Sequence, residues 1–337
     1  MRTILVTGGA GFIGSNFVRM VLSEHPECLV VNLDKLTYAG NLENRADVLG
    51  HERHRFVHGD ICDGTLVRRL LDEYRTCAIV NFAAESHVDR SIVDPRVFID
   101  TNVAGTLTLL EAAHDKNVDR FIQVSTDEVY GALGPQGVFT EATALSPNSP
   151  YAASKAAADL LVRACGHTWG VKYNITRCSN NYGPFQFPEK LVPLMIHNAM
   201  NDKDLPVYGD GLYVRDWLYV YDHCTAIWRV LEQAPPGEIY NIGGCCEKTN
   251  LEVVQTILGR LGKSTSLIRH VKDRPGHDRR YATDAAKIMT TLGWRPAMTF
   301  DQGITRTIDW YLANQKWLAN VVSGQYQQYY ETMYGNR

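Results

Sequence analysis

The stretch TILVTGGAGFIG, running from Thr3 to Gly14, decides how this chain folds. Its first half is an apolar, β-branched run of the kind that forms a strand covered on both faces. Its second half places Gly8, Gly11 and Gly14 three residues apart, directly before the helical pattern of Phe12–Glu24. Glycine permits the tight turn and a close approach of the backbone to a pyrophosphate, whose charge the following helix N-terminus stabilises. Further strand candidates follow at Cys28–Leu33, Arg55–His58, Ala78–Phe82, Phe121–Ser125 and Lys172–Arg177. Between them, Val67–Tyr74, Val103–His114 and Ala152–Thr168 carry apolar residues at helical spacing. That alternation predicts an α/β fold, a Rossmann-type doubly wound parallel sheet.

After about Ser179 the texture changes. Asn180–Pro188 (NNYGPFQFP) is rich in glycine, proline and aromatics and reads as a loop rather than a strand-helix unit. Glu238–Ile242 is placed to rejoin the sheet, and helices return at Asn250–Leu261 and Asp301–Ala313. The expected organisation is a cofactor-binding domain over residues 1–178, with 217–243 returning to it. A smaller C-terminal α/β substrate domain takes 179–216 and 244–337, and the ligand lies in the cleft between the two.

Composition bounds the function. The 337 residues carry a formal charge of −3, with 45% hydrophobic and 21% charged residues, which suits a soluble globular protein. At this length roughly three quarters of the unfolded surface can be buried. No basic excess points to nucleic acid or an anionic membrane. No apolar run approaches the ~18–20 residues that span a bilayer. A secretory leader is not expected either, because Met1–Thr7 already reads as a strand entering the glycine loop. The eight cysteines are scattered without a C-x-x-C pair, which fits a reducing cytoplasm and no metal site.

Asp34 closes the second strand, twenty residues after Gly14. A carboxylate there binds ribose hydroxyls and repels a 2′-phosphate, favouring NAD over NADP, although Lys35 beside it works against that discrimination. Asp60 reads equally as an adenine neighbour or a helix N-cap. Tyr151 and Lys155 in PYAASK stand four residues apart, on one helix face behind Pro150. A tyrosine acting as a base near neutrality needs its pKa of ~10 lowered by about three units, roughly 4 kcal/mol. One ammonium about 4 Å away at an effective dielectric of ~20 contributes on that order. In Ser125–Gly131 (STDEVYG), Thr126 is placed to bond a substrate hydroxyl. Asp127 and Glu128 can serve one site only if the backbone turns there, because neighbours on a strand point to opposite faces. Adjacent carboxyls suit a reaction needing both an acid and a base, with one pKa raised against the other; the alternative is a helix-capping pair.

TGGAGFIG and YAASK resemble the extended short-chain dehydrogenase/reductase superfamily. DKLTYAGN (Asp34–Asn41), AAESHVDRSI (Ala83–Ile92), STDEVYG, NNYGP and DRPGHDRRY (Asp273–Tyr281) resemble, more narrowly, the dTDP-glucose 4,6-dehydratases. The resemblance covers essentially the whole chain. It implies that Tyr151 takes the 4-hydroxyl proton while hydride passes from carbon 4 to a tightly bound NAD. Glu128 then removes the carbon-5 proton, Asp127 protonates the departing 6-hydroxyl, and hydride returns to carbon 6. It further implies cofactor contacts from Gly8, Gly11, Phe12, Ile13, Gly14, Asp34, Lys35, Leu36, Thr37, Asp60 and Ile61. Phe82, Ala83, Ala84, Ser86, Thr101, Tyr151, Lys155 and Asn181 complete that set. The sugar nucleotide is expected at Ser86, Thr126, Asn180, Lys190, Leu191, Pro206, Val207 and Tyr208, and at Arg215, Asn250, Asp273, Arg274, His277 and Tyr334. Arg215 and Arg274 suit a diphosphate, and Tyr208 or His277 a pyrimidine stack. Arg215 also stands beside Asp216, where a simple salt bridge is the alternative.

Three rival readings remain distinct from the first: a UDP-sugar 4,6-dehydratase, a nucleotide-sugar 4-epimerase or decarboxylase, and a catalytically silent dinucleotide-binding regulator. The epimerase has no use for Asp127 beside Glu128, and the regulator none for Tyr151 and Lys155. Helices Val103–His114 and Ala152–Thr168 carry apolar and small residues on more than one face. In the superfamily the matching helices form a four-helix bundle, which implies a homodimer.

Overall fold

The computed structural model describes residues 2 to 322. From the N-terminus, strands β1 (Arg2–Thr7), β2 (Cys28–Asp34), β3 (His54–His58), β4 (Ala78–Asn81), β5 (Arg120–Thr126) and β6 (Tyr173–Cys178) alternate with helices. Three short strands follow, β7 (Asn180–Tyr182), β8 (Leu205–Tyr208) and β9 (Val214–Tyr219). The chain returns as β10 (Ile239–Ile242) before β11 (Glu247–Thr249) and β12 (Ile268–Val271). Strands β1 to β6 and β10 make one sheet in the order β10-β6-β5-β4-β1-β2-β3, parallel at every pairing. The almost uninterrupted burial of β1, β2 and β4 follows from helices on both faces, whereas edge strand β3 is partly exposed.

On one face, helix Phe12–Glu24 packs against Val220–Gln233 through Phe17, Val21, Ile227 and Leu231. The other face is covered by Gly64–Glu73, Thr106–Asp115 and Pro150–Trp169, which bury Leu70, Leu109, Leu110 and Val162. Each such side chain stabilises the fold by about 1.5–3 kcal/mol. A second core gathers Met195, Val254, Ile257, Ile304 and Tyr311 from helices Leu191–Met200, Asn250–Leu261 and Phe300–Ala313.

Strand β1 lies between β2 and β4, so the strand order reverses at β1 and opens a crevice at the carboxyl ends. Gly8 enters that crevice with φ 71°, and a Cβ on it would meet the Ala83 amide nitrogen at 2.7 Å. Only glycine fits there.

Two expectations need correction. Asn180–Tyr182 is not loop: it pairs parallel with β9 in a separate small sheet, a segment of three residues too short to show a strand period. The helix expected to start at Val103 begins its winding earlier, as a π-helical turn over Ile99–Gly105 that leads into the α-helix Thr106–Asp115. Among the described residues, no helix is long and apolar enough to cross a membrane, and no group of three or more His, Cys, Asp or Glu could hold a metal ion.

Candidate active site

Gly11 caps helix Phe12–Glu24 without a side-chain bond to the helix's first N–H groups. Those groups stand at the wall of a cleft lined by Gly8, Gly11, Phe12, Ile13 and Gly14, an arrangement that suits a pyrophosphate. The same wall continues through Asp34, Lys35 and Thr37 after β2, then Asp60 and Ile61 after β3. Phe82, Ala83, Ala84 and Ser86 after β4, with Thr101 from the π-helical turn, complete it. Asp34 is fixed by the Ala10 and Leu36 amides, each donating to it at 2.8 Å. Leu36, at φ 55°, does not line the wall; its amide holds Asp34 instead. Lys35 is ion-paired with Asp60 at 2.6 Å, so the ammonium that weakened discrimination against a 2′-phosphate is already neutralised. The N-cap alternative for Asp60 falls, because Asp63 caps helix Gly64–Glu73 by accepting from Leu66 N–H. The residues present fit NAD.

Tyr151 and Lys155 reach the cleft from helix Pro150–Trp169, which starts at a Ser149 cap with Pro150 in its first turn. Lys155 donates to the Val124 carbonyl at 2.7 Å. Burial pushes its pKa down, and the Asp159 carboxylate one turn further along opposes that. Burial, then the Glu128 carboxylate, hold the Tyr151 phenol well above its usual range, and the neighbouring Thr126 hydroxyl opposes this. A nearby ammonium lowers a phenol's pKa, but burial, the largest influence on Tyr151, works in the opposite direction.

At the end of β5 the chain turns into a 3₁₀ helix, Asp127–Tyr130, capped by Thr126, whose hydroxyl accepts from Glu128 N–H at 3.2 Å. Thr126 therefore does the capping, and both carboxyls are left at the cleft wall with Tyr151. Asp127 is 2% exposed, with Oδ2 accepting from Thr283 Oγ1 at 3.1 Å and Oδ1 from Thr126 Oγ1 at 3.4 Å. Burial, Glu128 and Asp216 push its carboxyl up to about 8. Burial raises Glu128 as well, but Arg274, Lys190 and Arg215 all favour its ionised form. Near neutrality the pair holds one proton-bearing carboxyl beside one backed by three cations.

Asn180, Asn181 and Lys190 share this wall, and Lys190 donates to the Ser86 carbonyl at 2.9 Å. Asn181 is oriented by His223, whose Nδ1 lies 2.9 Å from its Oδ1. The remaining nucleotide-side residues lie outside the wall. Leu191 and Asn250 open their helices, and Pro206, Val207 and Tyr208 form β8. Asp273, Arg274 and His277 follow β12. Arg274 donates to Asp89 at 3.0 Å, and Tyr208 donates to the other oxygen of the same carboxylate at 2.9 Å. His277 bonds Asp273 at 2.7 Å, and one face of its ring is already stacked on Tyr213 at 3.7 Å. Arg215 does not pair with Asp216, because strand neighbours point apart. Its guanidinium bonds the Val214 and Asp278 carbonyls and lies 4.2 Å from the Tyr281 ring, while Asp216 accepts from the Gly244 and Cys246 amides. Tyr334 lies outside the described residues.

Sequence reading missed Asp89, although it stands inside AAESHVDRSI. It also missed Thr283 and Asp216, for which no motif speaks. Asn102 was missed too: it brackets Glu85 with two backbone bonds and donates to Ser154 Oγ, tying the segment after β4 to the Tyr151 helix.

The chain matches the protein family described as GDP-mannose 4,6 dehydratase across residues 5–307. It is 57% identical to the dTDP-glucose 4,6-dehydratase of Xanthomonas campestris pv. campestris, over 97% of this chain and 98% of that protein. The crystal structure of dTDP-glucose 4,6-dehydratase from Bacillus anthracis in complex with NAD matches with a TM-score of 0.90 and 50% identity, over 95% of this chain and 100% of that one. The UDP-glucose 4-epimerase of Thermus thermophilus, also in complex with NAD, reaches a TM-score of 0.86 at 32% identity, over 93% of this chain and 99% of that one. Backbone shape is thus common to dehydration and epimerisation, and side chains must separate them.

Proposed function

This chain belongs to the dTDP-glucose 4,6-dehydratase family, and from that membership we propose that it converts dTDP-glucose to dTDP-4-keto-6-deoxyglucose and water. NAD, when bound, takes hydride from carbon 4 of the sugar and returns it at carbon 6, so it is recycled within each turnover. Tyr151 Oη removes the proton of the 4-hydroxyl, with the Lys155 ammonium on the same helix face. The resulting ketone acidifies carbon 5, and Glu128 takes that proton. Asp127 gives its own proton to the 6-hydroxyl as the carbon–oxygen bond breaks, and Glu128 returns the carbon-5 proton afterwards. Arg215, Arg274 and Lys190 supply the positive charge that suits the diphosphate.

One observation carries this reading over the epimerase: the 3₁₀ turn after β5 sets both Asp127 and Glu128 on the cleft wall with Tyr151, and burial beside Glu128 favours the protonated form of Asp127. An epimerase needs the tyrosine and the cofactor, but neither half of that pair. The thymidine base rests on the relatives' substrate, since one methyl group is worth only about 1–3 kcal/mol in a pocket.

Residues 1–178 with 217–243 are assigned to the cofactor, and 179–216 with 244–337 to the sugar nucleotide. A homodimer is supported by exposed Ile92, Val93, Val97, Ile99 and Leu160; of the two helices expected in a four-helix bundle, Ala152–Thr168 exposes Leu160, while the other four stand on the turns before Val103–His114. The eight cysteines, none of them disulfide-bonded, accord with the cytoplasm. The deciding experiment offers dTDP-glucose and UDP-glucose separately in heavy water. Loss of water with solvent deuterium at carbon 5, faster with dTDP-glucose, is expected. A 4-epimer with no deuterium at carbon 5 would overturn the assignment.

A further inference from the structure

Two glycines bring a distant segment against the catalytic acid. Gly243 and Gly244 follow β10. A Cβ on Gly243 would meet Asp216 Oδ2 at 2.6 Å and the Thr283 carbonyl at 3.0 Å, and one on Gly244 would run into the Trp217 carbonyl. The backbone here is therefore packed directly on β9 and on the segment that carries Thr283. That segment is pinned from its other side by Phe139, whose amide donates to Ala282 and whose carbonyl accepts from Asp284, at 2.8 and 2.9 Å. Thr283 is 7% exposed, and its hydroxyl donates to Asp127 Oδ2 at 3.1 Å.

A neutral carboxyl carries its proton on one oxygen. A donor already bonded to Oδ2 disfavours the proton there, and the incoming bond to Oδ1, from Thr126, is the longer of the two at 3.4 Å. Thr126 lines the cleft and Thr283 does not. Resting on the dehydratase reading above, we propose that Thr283 is a positioning residue for the elimination step: its hydroxyl fixes the acid proton of Asp127 on Oδ1, the oxygen on the cleft side.

The groups facing Asp127 from the surrounding elements are Glu128 beside it, Asp216 and Arg215 from β9, Tyr151 from its helix and Cys178 at the end of β6. Burial and the two carboxylates raise the Asp127 carboxyl, whereas Arg215 and the Thr283 hydroxyl lower it. Deleting the hydroxyl must therefore leave Asp127 protonated to higher pH, although its proton is less well aimed.

The test uses full-length, NAD-loaded protein as wild type, Thr283→Val and Thr283→Ser, in single turnovers that follow cofactor reduction and water loss separately. Thr283→Val is expected to slow water loss about 3- to 10-fold, the span of one hydrogen bond. Cofactor reduction and KM should stay unchanged, and the alkaline limb of water loss should move upward. Thr283→Ser should restore both rate and limb. The proposal is overturned if Thr283→Val loses water at the wild-type rate, if the limb stays in place, or if both steps fall together with no recovery in Thr283→Ser. A wild type that reduces its cofactor but releases no water would instead overturn the dehydratase reading itself.

Discussion

Replacing Asp127 by Asn keeps the shape of that side chain and removes its acidity, so it should stabilise the fold while disabling one chemical step. In the folded chain the carboxyl is raised from 3.8 to about 8, because it is buried beside Glu128 and Asp216. The folded state thus holds a proton that the unfolded chain releases, and stability falls as pH rises between those two values. At about pH 7 the gap is roughly three units, worth about 4 kcal/mol at ~1.36 kcal/mol per unit. Asn carries no such cost, and its side-chain oxygen can still accept from Thr283. Urea unfolding at about pH 8 should therefore show Asp127→Asn more stable than wild type by several kcal/mol, with the difference shrinking towards about pH 4. Water loss should slow by ~10²–10⁴-fold, as when a general acid is removed, an added barrier of about 3–5 kcal/mol. Reduction of the cofactor should survive, since it depends on Tyr151. Equal or lower stability at the higher pH, or water loss at the wild-type rate, would refute the reasoning.

Tyr151→Phe should leave the cofactor oxidised on adding sugar nucleotide, followed by the reduced-nicotinamide absorbance; normal reduction would remove Tyr151 from the first step. Because Asp34 is anchored and Lys35 is paired with Asp60, purified protein should carry NAD and turn over with none added, and strict dependence on NADP would contradict this. Leu160→Glu and Val93→Glu should each convert a dimer into a monomer by light scattering at micromolar concentration; wild type that is already monomeric would dismiss the four-helix bundle.

What could be read from the sequence was local. Gly8, Gly11 and Gly14 announce the turn after β1, Asp34 ends the next strand, and Tyr151 and Lys155 share a helix face by spacing alone. The need for a turn at Asp127–Glu128 followed from strand alternation, and a 3₁₀ helix provides it. Long-range contacts left no trace. Thr283 meets Asp127 across 156 residues, and Arg274 meets Asp89 across 185. Nor does adjacency reveal direction: Arg215 and Asp216 look like a pair in sequence and are turned apart by the pleat of β9. The state of Tyr151 was out of reach for a different reason, since desolvation depends on what surrounds a phenol and not on which lysine stands four residues away.

The hydroxyl of Thr126, described above as a cap, has a consequence for how one turnover hands over to the next. In the mechanism proposed above, each cycle leaves Tyr151 with the proton of the 4-hydroxyl and Asp127 without the one given to the departing water, while Glu128 has given back what it took. The site restarts only when one proton moves from the phenol to the aspartate. Thr126 donates to Asp127 Oδ1 and shares the cleft wall with Tyr151, and a hydroxyl can accept and donate at once. Both end groups are buried, at 8% and 2% exposure. In the proposed cycle, a proton passed from the phenol through Thr126 to Asp127 would rearm the acid, and the hydrogen stripped from oxygen 4 of one sugar would leave in the water released from the next.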